Sequence, residues 1–409
     1  MYRVKIKAVL KALTLIIALF IYVIFAFTFS KHSSYYNLYG MGNGDKISYE
    51  KARVLTVDAQ NIEADKHYNH MLLGSQQLTI LVITGQFKGE KMKLTNGLNY
   101  DTNYLLKPGN EIIISVNTAQ NGNTKSTNIF LYSPYRGFGL YVLIGLFVLS
   151  LCLIGGKRGF KSVIGIIFTL TSVIFIFIPL IYNGFSPITA SIILAIFTTF
   201  ITLILTAGFE IKTFSAILGT ALGVVISALI LLIFQHLTNL SGYNMADYDS
   251  LLALSGHTGL RVDELLFAAI IISSLGAVMD IAISVASSIQ EISKLNEKST
   301  SAILFKSGIN VGRDMMGTMA NTLILAFTGT SLNMLIFIYA YNMNFYQIFN
   351  SNTFAIEILQ AISGSFAVIL TVPIVSFISA KLLPLFLKNK DNTQLKVKTD
   401  SNIDSLKAL

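Results

Sequence analysis

Apolar and polar positions follow one another in long blocks rather than in the short cycles of a soluble domain. An uncharged run at 12–30 follows a start carrying Arg3, Lys5, Lys7 and Lys11. Residues 31–136 turn polar, and apolar blocks then recur at 138–154, 162–181, 188–206, 213–234, 265–291, 315–340 and 358–380. Each approaches the ~20 residues a helix needs to cross a bilayer, which predicts about eight transmembrane helices. Within 31–136 the period shortens. Arg53–Val57, Gln77–Phe87, Glu111–Val116 and Thr127–Tyr132 read as strands, with turn chemistry at Asn96-Gly97, Lys107-Pro108-Gly109-Asn110 and Asn121-Gly122. The expected fold is an α-helical polytopic membrane protein with a small extracytoplasmic all-β, barrel-like domain. Its divisions are a cytoplasmic segment with a signal-anchor helix (1–30), the β domain (31–136), a seven-helix membrane domain (137–387) and a polar, disordered cytoplasmic tail (388–409). A cleaved signal peptide is the competing reading of 1–30. Its apolar core is shorter, and Thr28-Phe29-Ser30 makes a poor cleavage site.

Composition supports the membrane class: 53% of the 409 residues are hydrophobic and 12% charged, against about 25% charged in soluble domains. A net charge of +9 raises the question of nucleic acid, but the basic residues lie between apolar blocks rather than in one patch. Lys157, Arg158, Lys161, Lys212, Lys294, Lys298, Lys306, Arg313, Lys381, Lys388 and Lys390 fall on one side of an eight-crossing topology, so both termini are expected in the cytoplasm. The uncharged stretches 182–187 and 342–356 fit the outer side. Tryptophan is absent, which leaves Tyr141, Tyr182, Tyr339 and Tyr341 for the interfacial belt. The single cysteine, Cys152, excludes an intrachain disulfide and a cysteine-based metal site. His67 and His70 lack a third ligand and read as surface residues, so no metal and no cofactor is expected. No inverted repeat is visible by eye.

One block carries an acid well inside it. Counted from Glu264, Asp280 lies roughly 24 Å along a path of about 40 Å. A carboxylate at that depth is costly unless paired, hydrated or protonated. Ser273, Asp280 and Ser287 follow at seven-residue steps, and Ala277, Ser284 and Glu291 form a second row beside them. The stripe is expected to face protein or water. Asn310, Asp314, Gly317, Asn321 and Thr328 make a similar row in the next block, and Glu357, Gly364 and Thr371, with Gln360 beside them, in the last. Asp280, Asn321 and Thr371 sit at comparable depth, roughly 12–17 Å from the cytoplasmic ends. The candidate ion or substrate path is therefore Asp280, Asn321, Thr371, Ser284 and Asp314. The plainer reading is helix packing through small residues, which applies best to Ser273, Ser284, Ser287, Gly317 and Gly364. Arg313-Asp314 also reads as a local ion pair, and Glu210 with Lys212 as a cytoplasmic turn.

Catalysis is not expected. An intramembrane aspartyl pair would need G-x-G-D, whereas Gly276-Ala277-Val278-Met279 precedes Asp280, and H-E-x-x-H, G-x-S-x-G and phosphate-binding loops are missing.

SSLGAVMDIAISVASSIQEI (273–292), NVGRDMMGTMANTLILAFTG (310–329) and GGKRGFK (155–161) resemble the YibE/F-like family of bacterial multi-pass membrane proteins, as does the order of anchor, outer β domain and membrane bundle. The resemblance implies topology and a bacterial plasma membrane, and little about activity. The expected function is a transporter or permease, coupled to protons or cations through Asp280. The alternative is a non-transporting scaffold or sensor whose outer β domain binds a partner. Expected partners are the lipid bilayer, an unidentified small molecule or ion, and a membrane protein or second copy of the chain.

Overall fold

The computed structural model describes the backbone of residues 2–31, 46–68, 71–121, 124–296 and 299–407, and side chains over 14–31, 47–68, 71–118, 127–296 and 299–384. His70, Gly122 and Lys298 of the sequence reading lie outside the described residues. Two units are present, one spanning Asn37–Ser150 and the other Met1–Tyr36 with Leu151–Leu409.

The first unit holds a five-stranded antiparallel sheet: β1 (Lys46–Ala64), β2 (Leu72–Val82), β3 (Lys91–Leu98), β4 (Glu111–Asn121) and β5 (Thr124–Pro134), in the order β3-β2-β1-β4-β5. Edge strands β3 and β5 approach one another without pairing, so the sheet curls into a half-barrel. Alternation fills its interior with Ala52, Val54, Leu78, Ile80, Val82, Leu94, Ile112, Ile114 and Val116. β1 runs well beyond the expected Arg53–Val57, because its first half pairs with β4 and its second half extends the ladder to β2. β2 stops at Val82, short of the expected Phe87, where Ile83 N–H turns to the Lys51 carbonyl.

The turn expected at Asn96-Gly97 is instead inside β3, with Asn96 opposite Gln76 and Gly97 opposite Ser75. Asn96 is buried, and its Nδ2 donates to Gln76 Oε1 (3.0 Å) and to the Tyr104 carbonyl (2.8 Å). Gln76 in turn bonds both the N–H and the carbonyl of Leu106. Two buried amides thus clamp the segment 99–106 across the sheet.

At the sheet surface, Glu111 meets Lys51 at 2.7 Å and Arg53 at 3.0 Å. These partners, Lys51 first, hold the Glu111 carboxyl below its ordinary range. Its contribution to stability is therefore present above the unfolded pKa and lost as pH falls through the lowered folded value. Thermal stability of the wild type is expected to fall below about pH 4, and Glu111→Gln should flatten that part of the profile. An unchanged profile would show that the pair contributes nothing measurable.

The second unit is helical. α1 (Tyr2–Ser30) docks through Tyr22, whose hydroxyl lies 2.6 Å from Ser172 Oγ and whose ring lies tilted against Phe168. α2 (Gly137–Ser172) begins in the first unit and ends here, continued by a π-helical turn (Val173–Phe177) and α3 (Ile178–Tyr182). Between the blocks expected at 138–154 and 162–181, Gly156 is non-helical at φ 52°, ψ −129°, so two helices meet there at a kink. α4 (Pro187–Ala207), α5 (Ile211–Thr238), the short α6 (Tyr248–Ser255) and α7 (Leu265–Leu295) follow. The block expected at 315–340 is α8 (Ser301–Thr330), started by the Thr300 cap, and α9 (Leu332–Ala340), bent by 65° at the junction. Lys306 and Arg313, expected in a loop, are therefore on a helix. α10 (Phe345–Phe349) leads to α11 (Asn352–Lys407), whose backbone stays helical through the stretch expected to be a disordered tail.

Among the described residues, five stretches are long and apolar enough to cross a membrane: Gly137–Tyr182, Pro187–Ala207, Ile211–Thr238, Val262–Leu295 and Asn352–Pro384. The bent pair α8–α9 makes a sixth when taken as one span. This is fewer than the expected eight. Thr14–Ser30 is a shorter apolar helix, and the blocks 138–154 and 162–181 count as one 46-residue stretch although a kink at Gly156 divides it into two helices.

α11 is the centre of this unit, packed against α5, α7 and α8. Two G-x-x-x-G pairs let it approach. A Cβ on Gly219 or Gly223 of α5 would fall 2.1 Å from Val375 Cγ2 or 2.3 Å from Thr371 Oγ1. A Cβ on Gly308 or Gly312 of α8 would fall 2.6 Å from Ser376 Oγ or 2.1 Å from Val372 Cγ1. Without a hydrophobic drive between helices in lipid, such close backbone packing is a main source of association.

Candidate functional site

α7 divides into two faces. Leu266, Ile270, Ser274, Val278, Ile281, Val285 and Ile289 are buried in the helical core. Ser273, Gly276, Asp280 and Glu291 are exposed, with Ser284 and Ser287 half-buried. The polar stripe is therefore the side of α7 that this chain leaves uncovered. Among the described residues no donor or cation reaches the Asp280 carboxylate. On α8, Asp314, Gly317, Thr318, Asn321 and Thr328 are likewise exposed, and Met316, Met319 and Leu323 turn to the core. Arg313 and Asp314 form no ion pair among the described residues.

The five predicted residues thus separate. Asp280, Asn321 and Asp314 stand on uncovered faces of two helices that pack against each other. Ser284 sits at the edge of that face, its carbonyl accepting from Ser288 Oγ at 3.0 Å. Thr371 is elsewhere: it is 0% exposed, its hydroxyl bonds the Ala367 carbonyl at 2.7 Å, and it fills the notch between Gly223 and Val278. Val278 lies about 200° around the helix from Asp280. Equal depth does not bring Thr371 and Asp280 to one site, because depth leaves the azimuth open. Gly317, expected in close packing, has no atom within 4 Å of a built Cβ, and that role belongs to Gly308 and Gly312 on the other face.

Polar ties close both ends of the bundle. Ser186, the cap of α4, hydrogen-bonds Glu264 at the start of α7, and Arg261 lies 3.4 Å from the same carboxylate. At the opposite end, Gln290 is 7% exposed; its Nε2 donates to Glu210 Oε2 (2.9 Å), and its Oε1 accepts from Lys212 N–H (3.1 Å). The Gln290 bond first, then Lys212, holds the Glu210 carboxyl below its ordinary range. In sequence Glu210 and Lys212 look like a turn, and the signal for their partner is the polarity of Gln290 in the last turns of an apolar helix.

Compared with known proteins, residues 143–385 match the family model described as YibE/F-like protein, and residues 45–130 match that of the YibE/F family N-terminal domain. No curated protein matches the chain. No solved structure matches it either.

Proposed function

The chain belongs to the YibE/F-like family, and from that premise, with helices whose length and apolarity point to a membrane protein, we propose a bacterial plasma-membrane permease. In this reading it is coupled to protons or cations through Asp280. The eight crossings are α1, the two limbs on either side of Gly156, α4, α5, α7, α8–α9 and α11, with both termini cytoplasmic and the β domain outside. The observation that carries the reading is the placement of Asp280, inside an apolar helix and on a face that the chain itself leaves uncovered. An ionisable group there belongs against protein or water, and a transport path supplies both. Asn321 and Ser284 add neutral oxygens to the same side, and a second copy of the chain closes it. Thr371 is not part of this path.

The test is charge movement in proteoliposomes across a panel of monovalent and divalent cations, with an entrapped pH dye and an imposed potential. Asp280→Asn keeps size and hydrogen bonding but fixes the charge at zero. It should insert normally and lose about tenfold or more of the flux, or lose its pH dependence. An Asn variant as fast as the wild type at every pH would sink the reading.

A second reading has its own observation. Tyr49 and Tyr132, 56% and 60% exposed, pack edge to face at 4.9 Å, with Phe130 exposed nearby on edge strand β5. Exposed aromatics on a strand edge suit a scaffold or sensor whose β domain holds a protein partner.

A further inference from the structure

A groove of about 600 Å³ lies where β5 passes into α2, and Tyr104, Leu105, Glu111, Tyr135 and Phe138 contribute to its wall. All of these residues belong to the first unit. The level of the groove relative to a bilayer follows from the chain itself. Residues 137–156 carry no charge and stand between Arg136 and Lys157. As a helix that run is about 30 Å long, the thickness of a hydrocarbon core. With this limb of α2 as a crossing, Arg136 is at one membrane surface and Phe138, 74% exposed, meets the first acyl carbons. The groove is then at headgroup level, where tyrosines such as Tyr104 and Tyr135 belong.

Charge selects the ligand class. Glu111 is the one acid in the wall, and Lys51 at 2.7 Å and Arg53 at 3.0 Å already meet it. Lys51 Nζ also lies 4.0 Å from the centre of the Tyr135 ring. Arg136 is exposed and donates to the Tyr104 hydroxyl at 2.7 Å, a neutral partner. Among the described residues it forms no ion pair. The first turn of α2 holds no acid, so the partial positive charge of that helix end adds to these bases rather than opposing them. A guanidinium whose only partner is neutral keeps donors free for a phosphate, which it can grip with two of them. Leu105 and Phe138, both exposed, add apolar surface for which a free phosphate has no use.

We propose that this groove holds the headgroup of an anionic phospholipid, its phosphate at the Arg136 guanidinium and its acyl chains starting over Leu105 and Phe138. The proposal rests on the first limb of α2 as a crossing and not on Asp280.

The experiment is hydrogen exchange of the full chain in phosphatidylcholine nanodiscs, with and without phosphatidylglycerol. The amides of Leu106, Lys107, Gly109 and Asn110 are the local reporters, since each is hydrogen-bonded beside the groove. In the wild type phosphatidylglycerol should slow their exchange about threefold or more. Each variant is compared with itself in the two lipids. Arg136→Gln should lose the effect, whereas Lys157→Gln, at the far end of the uncharged run, should keep it. Unchanged exchange in the wild type overturns the proposal, as does an equal slowing by inorganic phosphate in phosphatidylcholine alone. Retention of the full effect in Arg136→Gln, or its loss in both variants, does the same. Should Arg136→Gln not fold, the wild-type comparison of lipid with phosphate decides. Exchange is read without flux, so failure here leaves the Asp280 reading standing, and a failure of that reading leaves this one.

Discussion

Gly312→Leu is expected to eliminate folded, monodisperse protein in detergent, while Gly317→Leu, five residues on in the same helix, should leave it intact. At Gly312 a Cβ would already lie 2.1 Å from Val372 Cγ1, and Val372 is buried on α11 between neighbours that cannot retreat. A leucine must push α8 away from α11, which also opens the contact of Gly308 with Ile289 and Ser376. Overpacking of this kind costs at least about 3 kcal/mol where a backbone must move. Gly317 faces open space, so leucine there should change stability by no more than about 0.5 kcal/mol. Size-exclusion profiles and thermal midpoints of the two variants, made side by side, are the measurement. Equal behaviour would mean that α8 does not meet α11 through its glycines.

Asn96→Leu should destabilise the half-barrel by about 2–4 kcal/mol, since it strands the Tyr104 carbonyl and removes a donor from Gln76 inside the sheet. Hydrogen exchange in the full chain should quicken first across 99–106, the segment those amides hold. Gly97→Ala is the companion variant. Gly97 takes no positive φ and has no atom near a built Cβ, so alanine should be tolerated. A two-residue hairpin turn at Asn96-Gly97 would instead require positive φ at the glycine and penalise alanine. The pair of variants separates strand from turn.

That position shows why part of the fold was legible in the sequence and part was not. The strands around Leu78, Ile80, Ile112 and Ile114 were readable, because alternation reports a sheet face directly. Asn96-Gly97 carries the chemistry of a turn, and only the partners of its side chain, Gln76 and Tyr104, decide otherwise. Among the helices, apolar length marked the segments well, but a heptad row of polar residues names a face without saying what covers it. The row through Asp280 lies on the face of α7 that the chain leaves largely uncovered, and what meets that face is not written in its spacing. The contacting face carries Gly308 and Gly312, which sit between Lys306 and Arg313 and so resemble a loop in sequence. Glu357 was visible only as a member of a row; that it lies beside the bend at Ser331 is something no periodicity announces.

The central place of α11 has a consequence for the order of events during synthesis. It follows α5, α7 and α8 in the chain, yet all three close upon it. Between the emergence of Gly312 and that of Thr371 a ribosome needs roughly 3–12 s at common elongation rates. Throughout that interval the notches at Gly219, Gly223 and Gly312 lack the α11 side chains Val375, Thr371 and Val372 that occupy them. The helices made first must wait, loosely associated, for the one made last, and a ribosome that stalls before Thr371 leaves an assembly without its keystone.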